Sequence, residues 1–472
     1  MSDNKHDLSP EMDQVKPVEG STSIWFKRSI RTTGLILVIL GMPVVINLLC
    51  IVPLLLLNSN DSDAIVYGVF SLTITLLTLG AGAAAYWHAN QALQNKPSNP
   101  LRLPPTVLLV GLFILLIAMG LSLKLNDFGS GLFLPPILMI VAFLPPLWAV
   151  AWMIPHTVNT VNAQIADPPL SEEFSGAQGQ GALIRSGMTW RRGLLSFAGG
   201  ATLSVLIAFV LEMLLLIVIL SLVFGLPDSV SDSMRTLLRA LSNAEVAEGL
   251  TNPGFIFVFV QFAIIAPLAE ELAKPLVTLP LLKHLNKQET FWVGAMAGAG
   301  FAALENVIYA TTGLYIWAGI LIVRALGSAL HPLGSGLVAL GWRDILRGEK
   351  DAGRNWWQRF GIAVAVHAAW NGGSLLVITL GGARLFGDLP PEIDVLGLSA
   401  TGTTLAFLVI LGLSALWIGH AYGHAKPILS FANEESRDVG LTPSDRAIAL
   451  WALACLIAIV PAGIAGLKLW LR

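Results

Sequence analysis

Apolar runs long enough to cross a membrane recur along this chain, and four successive ones carry polar clusters at mid-run. No other feature constrains the fold as tightly. A crossing helix needs about 20 apolar residues. Hydropathy predicts about eleven such runs: 34–57, 64–87, 106–123, 131–154, 194–224, 254–282, 290–312, 316–341, 360–380, 398–420 and 447–468. In lipid each backbone N–H and C=O must be satisfied within its own segment, which runs of this length achieve as helices. The expected class is therefore all-α, a polytopic transmembrane helix bundle of about 11 spans. Only 12% of the 472 residues are charged, against about 25% in soluble domains, and the mean hydropathy of +0.72 agrees.

Loop charge sets the orientation. Lys27, Arg28 and Arg31 precede the first run, Arg185, Arg191 and Arg192 the fifth, and Lys426, Arg437 and Arg446 the eleventh. Lys96 and Arg102 follow the second run, Lys283 and Lys287 the sixth, and Arg343, Arg347, Lys350, Arg354 and Arg359 the eighth. All fall on one side, so the positive-inside rule predicts a cytoplasmic N-terminus. Opposite loops are acidic or neutral, with Asp61, Asp63, Asp127, Asp228, Asp232, Asp388, Glu392 and Asp394. Lys468 and Arg472 fit an external C-terminus poorly.

The expected organisation is a disordered cytoplasmic tail (1–33), an N-terminal module of about five spans (34–224), an extracytoplasmic segment (225–253), a four-helix core (254–380) and C-terminal helices (381–472). The 155–193 loop, with Pro168-Pro169, reads as irregular. Met234, Leu237, Leu238 and Leu241 give 228–250 an amphipathic spacing. The polar stretch 1–23 has no apolar core of a signal peptide. Cys50 and Cys455 sit in distant apolar runs and suggest buried small hydrophobes. A net charge of −2 carries no field for nucleic acid, and no internal repeat of the transporter kind is visible.

The clusters are Glu270-Glu271-x-x-Lys274, Phe301-x-x-x-Glu305-Asn306, His331-x-x-x-Ser335 and His367-x-x-x-Asn371. A charge at mid-membrane costs roughly 2.5–3.5 kcal/mol on insertion scales. A cost incurred in four adjacent runs predicts that the groups meet. At 1.5 Å per residue they stand about 18 Å (Glu270), about 22 Å (Glu305), about 15 Å (His331) and about 11 Å (His367) from the cytoplasmic face, in one broad layer. Lys274 has the spacing for ion pairs with both Glu270 and Glu271, which as a purely structural pair would need no further role. Gly294-x-x-x-Gly298 and Gly300 would let neighbouring helices come close to Glu305, and Phe301 could shield it from water. Neutral imidazole is a zinc ligand or a hydrogen-bond donor to an oxyanion. Pro135-Pro136 and Pro145-Pro146 predict a kink in the fourth run. Arg324, which could pair with a glutamate or snorkel outward, and Glu212 read as structural charges. His156, His284, His420 and His424 fall near run ends.

The order Glu-Glu-x-x-Lys, Phe-x-x-x-Glu-Asn, His, then His-x-x-x-Asn resembles the PrsW family of intramembrane proteases, over about 254–380. That family belongs with the CAAX prenyl endopeptidases and bacteriocin-processing enzymes. The resemblance implies a peptidase whose site draws on Glu270, Glu271, Glu305, Asn306, His331, His367 and Asn371. One of Glu270 and Glu271 would activate water. His331 and Asn371 would polarise the scissile carbonyl, and His367 and Glu305 would orient water. It implies a membrane protein or lipid-anchored peptide as substrate, within the bilayer of a prokaryotic cell membrane. The family name implies a metal, for which zinc on His331, His367 and Glu305 is the candidate. The wider group also admits glutamate-activated water, and no His-Glu-x-x-His helix is present. The same residues could alternatively serve a proton- or cation-coupled transporter, or a non-catalytic binding or immunity protein that keeps the fold.

Overall fold

The computed structural model describes residues 101–125, 130–153, 190–224 and, His284 apart, 253–385. It also describes 392–395, 398–401, Gly412 and scattered positions between Arg28 and Gln94. Most of the first and second runs, the 155–189 loop, the 225–252 segment, and the tenth and eleventh runs lie outside the described residues. So do Cys50, Cys455, His156, His284, His420 and His424.

Among the described residues, five helices are long and apolar enough to cross a membrane, and six if a bent pair counts as one span. They coincide with the third to eighth predicted runs. Helix α1 is Thr106–Leu125 and α2 is Ser130–Met153; α2 stays helical through both proline pairs. The fifth run is α3 (Trp190–Gly199), a π-helical turn at Gly200–Ser204, and α4 (Val205–Phe224). The sixth is interrupted too. Helix α5 (Pro253–Val260) meets a π-helical turn at Gln261–Ile265, where Ala266 N–H donates five residues back to the Gln261 carbonyl. Pro267, lacking an N–H, follows directly. Then come α6 (Ala266–Ala273), a 3₁₀ turn at Lys274–Thr278 containing Pro275, and α7 (Leu279–Leu282).

Helix α8 (Lys287–Thr312) is the centre of the bundle. An Asn286–Glu289 capping box starts it. It is the least apolar of the five candidate spans and the most buried, because its neighbours are protein rather than lipid. Lipid removes the hydrophobic drive between helices, so close packing of small residues must hold them. A Cβ at Gly300 would collide with the Phe197 carbonyl of α3, and one at Gly298 with the His331 carbonyl. Each glycine therefore sets a near-contact between backbones.

The eighth run differs from its expectation as a single span. Helix α9 (Trp317–Leu326) and α10 (Leu330–Arg347) meet at a 43° bend. The physical cause is Gly327 at the end of α9, with Pro332 in the first turn of α10. His331 consequently sits at the start of a helix, just past the bend. Gly348, in the left-handed region at φ 65°, ends α10. Helix α11 (Ala352–Leu385) carries the ninth run. Among the described residues the departure from an all-helical chain is one antiparallel pair, Glu392–Val395 with Leu398–Thr401.

Candidate functional site

The interruptions gather around one place. Helix α6 brings Glu270 and Glu271, α8 brings Glu305, α9 brings Arg324, α10 brings His331, and α11 brings His367 and Asn371. Lys274 Nζ, fully buried, lies 2.7 Å from Glu271 Oε1 and 3.1 Å from Glu270 Oε2. One ammonium thus serves both carboxylates, as the i+3 and i+4 spacing predicted.

Each histidine has a carboxylate behind it. His367 Nδ1 stands 2.9 Å from Glu271 Oε1. His331 Nε2 stands 3.2 Å from Glu305 Oε2. A carboxylate only accepts, so it fixes the tautomer: Nδ1–H on His367 and Nε2–H on His331. The lone pairs then belong to His367 Nε2 and His331 Nδ1. The former receives Asn371 Nδ2 at 3.1 Å, and the latter has no hydrogen-bond partner. The two rings meet edge to face, 4.8 Å between centroids.

Among the described residues, Glu270, His331 and His367 form a buried group whose ligand atoms lie within 4.8 Å of one another. Three observations make this donor set fit a divalent cation. Both imidazoles carry the carboxylate partner that metal-binding histidines usually have. His331 Nδ1 and Glu270 Oε2 are buried without a hydrogen bond. Three carboxylates (Glu270, Glu271, Glu305) against two cations (Lys274, Arg324) leave one negative charge, with the imidazoles neutral. In this group Glu270 stands where the sequence suggested Glu305. Glu305 is instead joined to Arg324 Nη2 at 2.7 Å.

Other predicted residues divide. Asn371 is at the site, but its amide nitrogen is also 3.1 Å from the Phe262 carbonyl in the π-helical turn. Facing that carbonyl, the nitrogen is the only favourable choice, so its N–H groups are directed at Phe262 and His367. Asn306 is turned away: Nδ2 donates to the Ala142 carbonyl of α2 at 2.9 Å, and Oδ1 accepts from Arg324 Nε. Phe301 lies against Lys274 (4.7 Å) and His331 (6.0 Å between ring centroids). Ser335 Oγ is buried without a partner one turn beyond His331. Glu212 accepts from Gln261 Nε2 at 3.4 Å.

Arg324 is the residue that sequence reasoning undervalued. It bonds Glu305 and Asn306, reaches within 3.5 Å of His331 Nε2, and lies over the Tyr309 ring at 4.6 Å. The available signal was an arginine seven residues before the histidine, in a run with few other charges.

Residues 189–396 match the family model described as PrsW family intramembrane metalloprotease. The matched stretch is wider than the one marked by the motifs and takes in α3 and α4. No curated protein and no solved structure matches the chain.

Proposed function

We propose that this chain, whose residues 189–396 match the model of the PrsW family of intramembrane metalloproteases, is a membrane-embedded peptidase. The reaction is hydrolysis of a peptide bond in a membrane protein or a lipid-anchored peptide. The observation that carries the reading is the buried group of Glu270, His331 and His367, with a carboxylate behind each imidazole.

Glu270 is the general base. It is the carboxylate of the pair that faces the imidazoles without being committed to one. Its Oε2 is 3.8 Å from His367 Nε2 and pairs with Lys274 Nζ at 3.1 Å. It accepts a proton from the attacking water and returns it to the leaving amine. Glu271 holds His367 in one tautomer. Glu305, steadied by Arg324, does the same for His331. Lys274 keeps two adjacent buried carboxylates compatible with one another.

A metal ion fits Glu270, His331 and His367, and zinc suits two imidazoles and a carboxylate. When bound it would supply Lewis acidity and ease deprotonation of water. Asn371 is a positioning group held by the Phe262 carbonyl; its N–H points at the His367 Nε2 lone pair, which a metal would take in its stead. Loop charge favours a cytoplasmic N-terminus, with the 155–193 and 342–359 loops inside and 226–253 outside.

Comparison of new protein N-termini in membranes from cells producing the native protein or Glu270→Gln tests this reading. Proteolysis predicts at least one membrane-protein N-terminus that depends on Glu270. Identical sets of N-termini would sink it.

A further inference from the structure

The matched stretch begins at residue 189, yet α2, which lies before it, reaches the site. We propose that α2 is a positioning element of the catalytic centre. It acts through the Ala142 carbonyl, which the Pro145-Pro146 pair leaves open for Asn306. This inference rests on the peptidase reading above for its meaning, but not for its test.

The argument begins with the backbone. In a helix the Ala142 carbonyl would accept from the N–H four residues on, at position 146, or in a tighter turn from position 145. Both positions are proline, and proline has no N–H. One proline would leave the other route. Two adjacent prolines close both. A buried carbonyl then needs an outside donor, and Asn306 Nδ2 supplies it at 2.9 Å.

That bond fixes the amide of Asn306, so its Oδ1 faces the other way. There it accepts from Arg324 Nε. Arg324 Nη2 then holds Glu305 Oε2 at 2.7 Å, and the same carboxylate oxygen is 3.2 Å from His331 Nε2. Every member is buried or nearly so, where hydrogen bonds are strong and loss of one strands the next. A second contact serves the same end. Trp148 Nε1 of α2 donates to Ser328 Oγ at 2.9 Å, at the bend that opens the helix carrying His331. Apolar packing between α1, α2 and α9, including Phe113, Leu138 and Trp317, holds the two contacts in register.

The test uses full-length protein in nanodiscs with ¹⁵N-labelled histidine, the His331 signals being identified by their absence in His331→Gln. Pro146→Ala returns the missing N–H to the Ala142 carbonyl, and removing a proline from a helix interior favours the helix. We expect native His331 to show one protonated and one unprotonated nitrogen. In Pro146→Ala and in Asn306→Leu these signals should move towards tautomer averaging. The double variant should go no further than either single one. Pro136→Ala, which removes a proline elsewhere in the same helix, should leave them native. Turnover of a fluorogenic transmembrane reporter at saturation should fall by roughly 10–100-fold with KM unchanged, the usual scale for groups that orient ligand residues. Native His331 signals in folded Pro146→Ala and Asn306→Leu would overturn the proposal. Equal effects from Pro136→Ala would do so too. If the native protein cleaves nothing while the His331 signals respond as expected, the peptidase reading fails and the positioning role stands.

Discussion

Glu270 and Glu271 are neighbours in sequence, and the structure predicts that they fail differently. Glu271→Gln keeps an oxygen that can accept from His367 Nδ1–H, now 2.9 Å away, but turns a charge-assisted bond into a neutral one. Net values of about 1.5–3 kcal/mol for the former and about 0.5–1.5 kcal/mol for the latter differ by about 1–1.5 kcal/mol. At 1.36 kcal/mol per decade that is about tenfold, at the low end of the roughly 10–100-fold measured for groups behind metal ligands. Glu270→Gln removes the proton acceptor itself, which typically costs about 10²–10⁴-fold. The two variants should therefore be separated by at least about tenfold in turnover, with Glu270→Gln the weaker. The assay is cleavage of a fluorogenic transmembrane reporter by purified variants in liposomes, paired with zinc affinity by competition with a chromogenic chelator. Both variants should bind zinc less tightly than the native protein. Equal turnover of the two, or Glu271→Gln as the weaker, would refute the assignment of roles. A native protein without zinc affinity would remove the metal and leave the carboxylate.

Lys274→Met strands two buried carboxylates 2.7 and 3.1 Å from the lost ammonium. Removing one partner of a buried pair typically costs about 3–5 kcal/mol, so thermal unfolding in detergent should fall by several degrees, and Lys274→Met/Glu271→Gln should recover part of it. No change in melting would show that the ammonium is not needed for the fold. A Cβ at Gly334 would stand 2.6 Å from Glu271 Oε2. Gly334→Ala should thus push that carboxylate off His367 and reproduce the Glu271→Gln loss in turnover, and full activity would contradict the packing. For orientation, a membrane-impermeant thiol reagent applied outside should label a cysteine at 232 and leave one at 350 untouched; the opposite pattern would invert the membrane.

The centre of the site was legible because lipid makes its residues conspicuous. Glu270, Glu271, Lys274, Glu305, His331 and His367 each break an apolar run, and groups so costly apart are expected together. The third to seventh runs were legible by length alone. What hydropathy misses is backbone geometry. A window averages over the bend between Leu326 and Leu330, and over the π-helical turn at Gln261–Ile265, because neither changes composition. Partner choice was hidden for a related reason. Whether Arg324 snorkels or pairs depends on which face of α9 meets α8. The destination of the Asn306 amide depends on a carbonyl in α2, 164 residues away. The proline pairs in α2 were visible as a kink signal; the helix runs on through both, and the carbonyl that Pro145-Pro146 frees accepts from Asn306.

The claim on which the rest depends is that this chain hydrolyses peptide bonds with Glu270. Purified native protein and Glu270→Gln, each in liposomes with a single-span reporter in ¹⁸O-labelled water, test it directly by mass spectrometry of the products. The account predicts a native product whose new C-terminal carboxylate carries ¹⁸O, and at least about a hundredfold less of it from Glu270→Gln. Equal, ¹⁸O-labelled product from both proteins would contradict it.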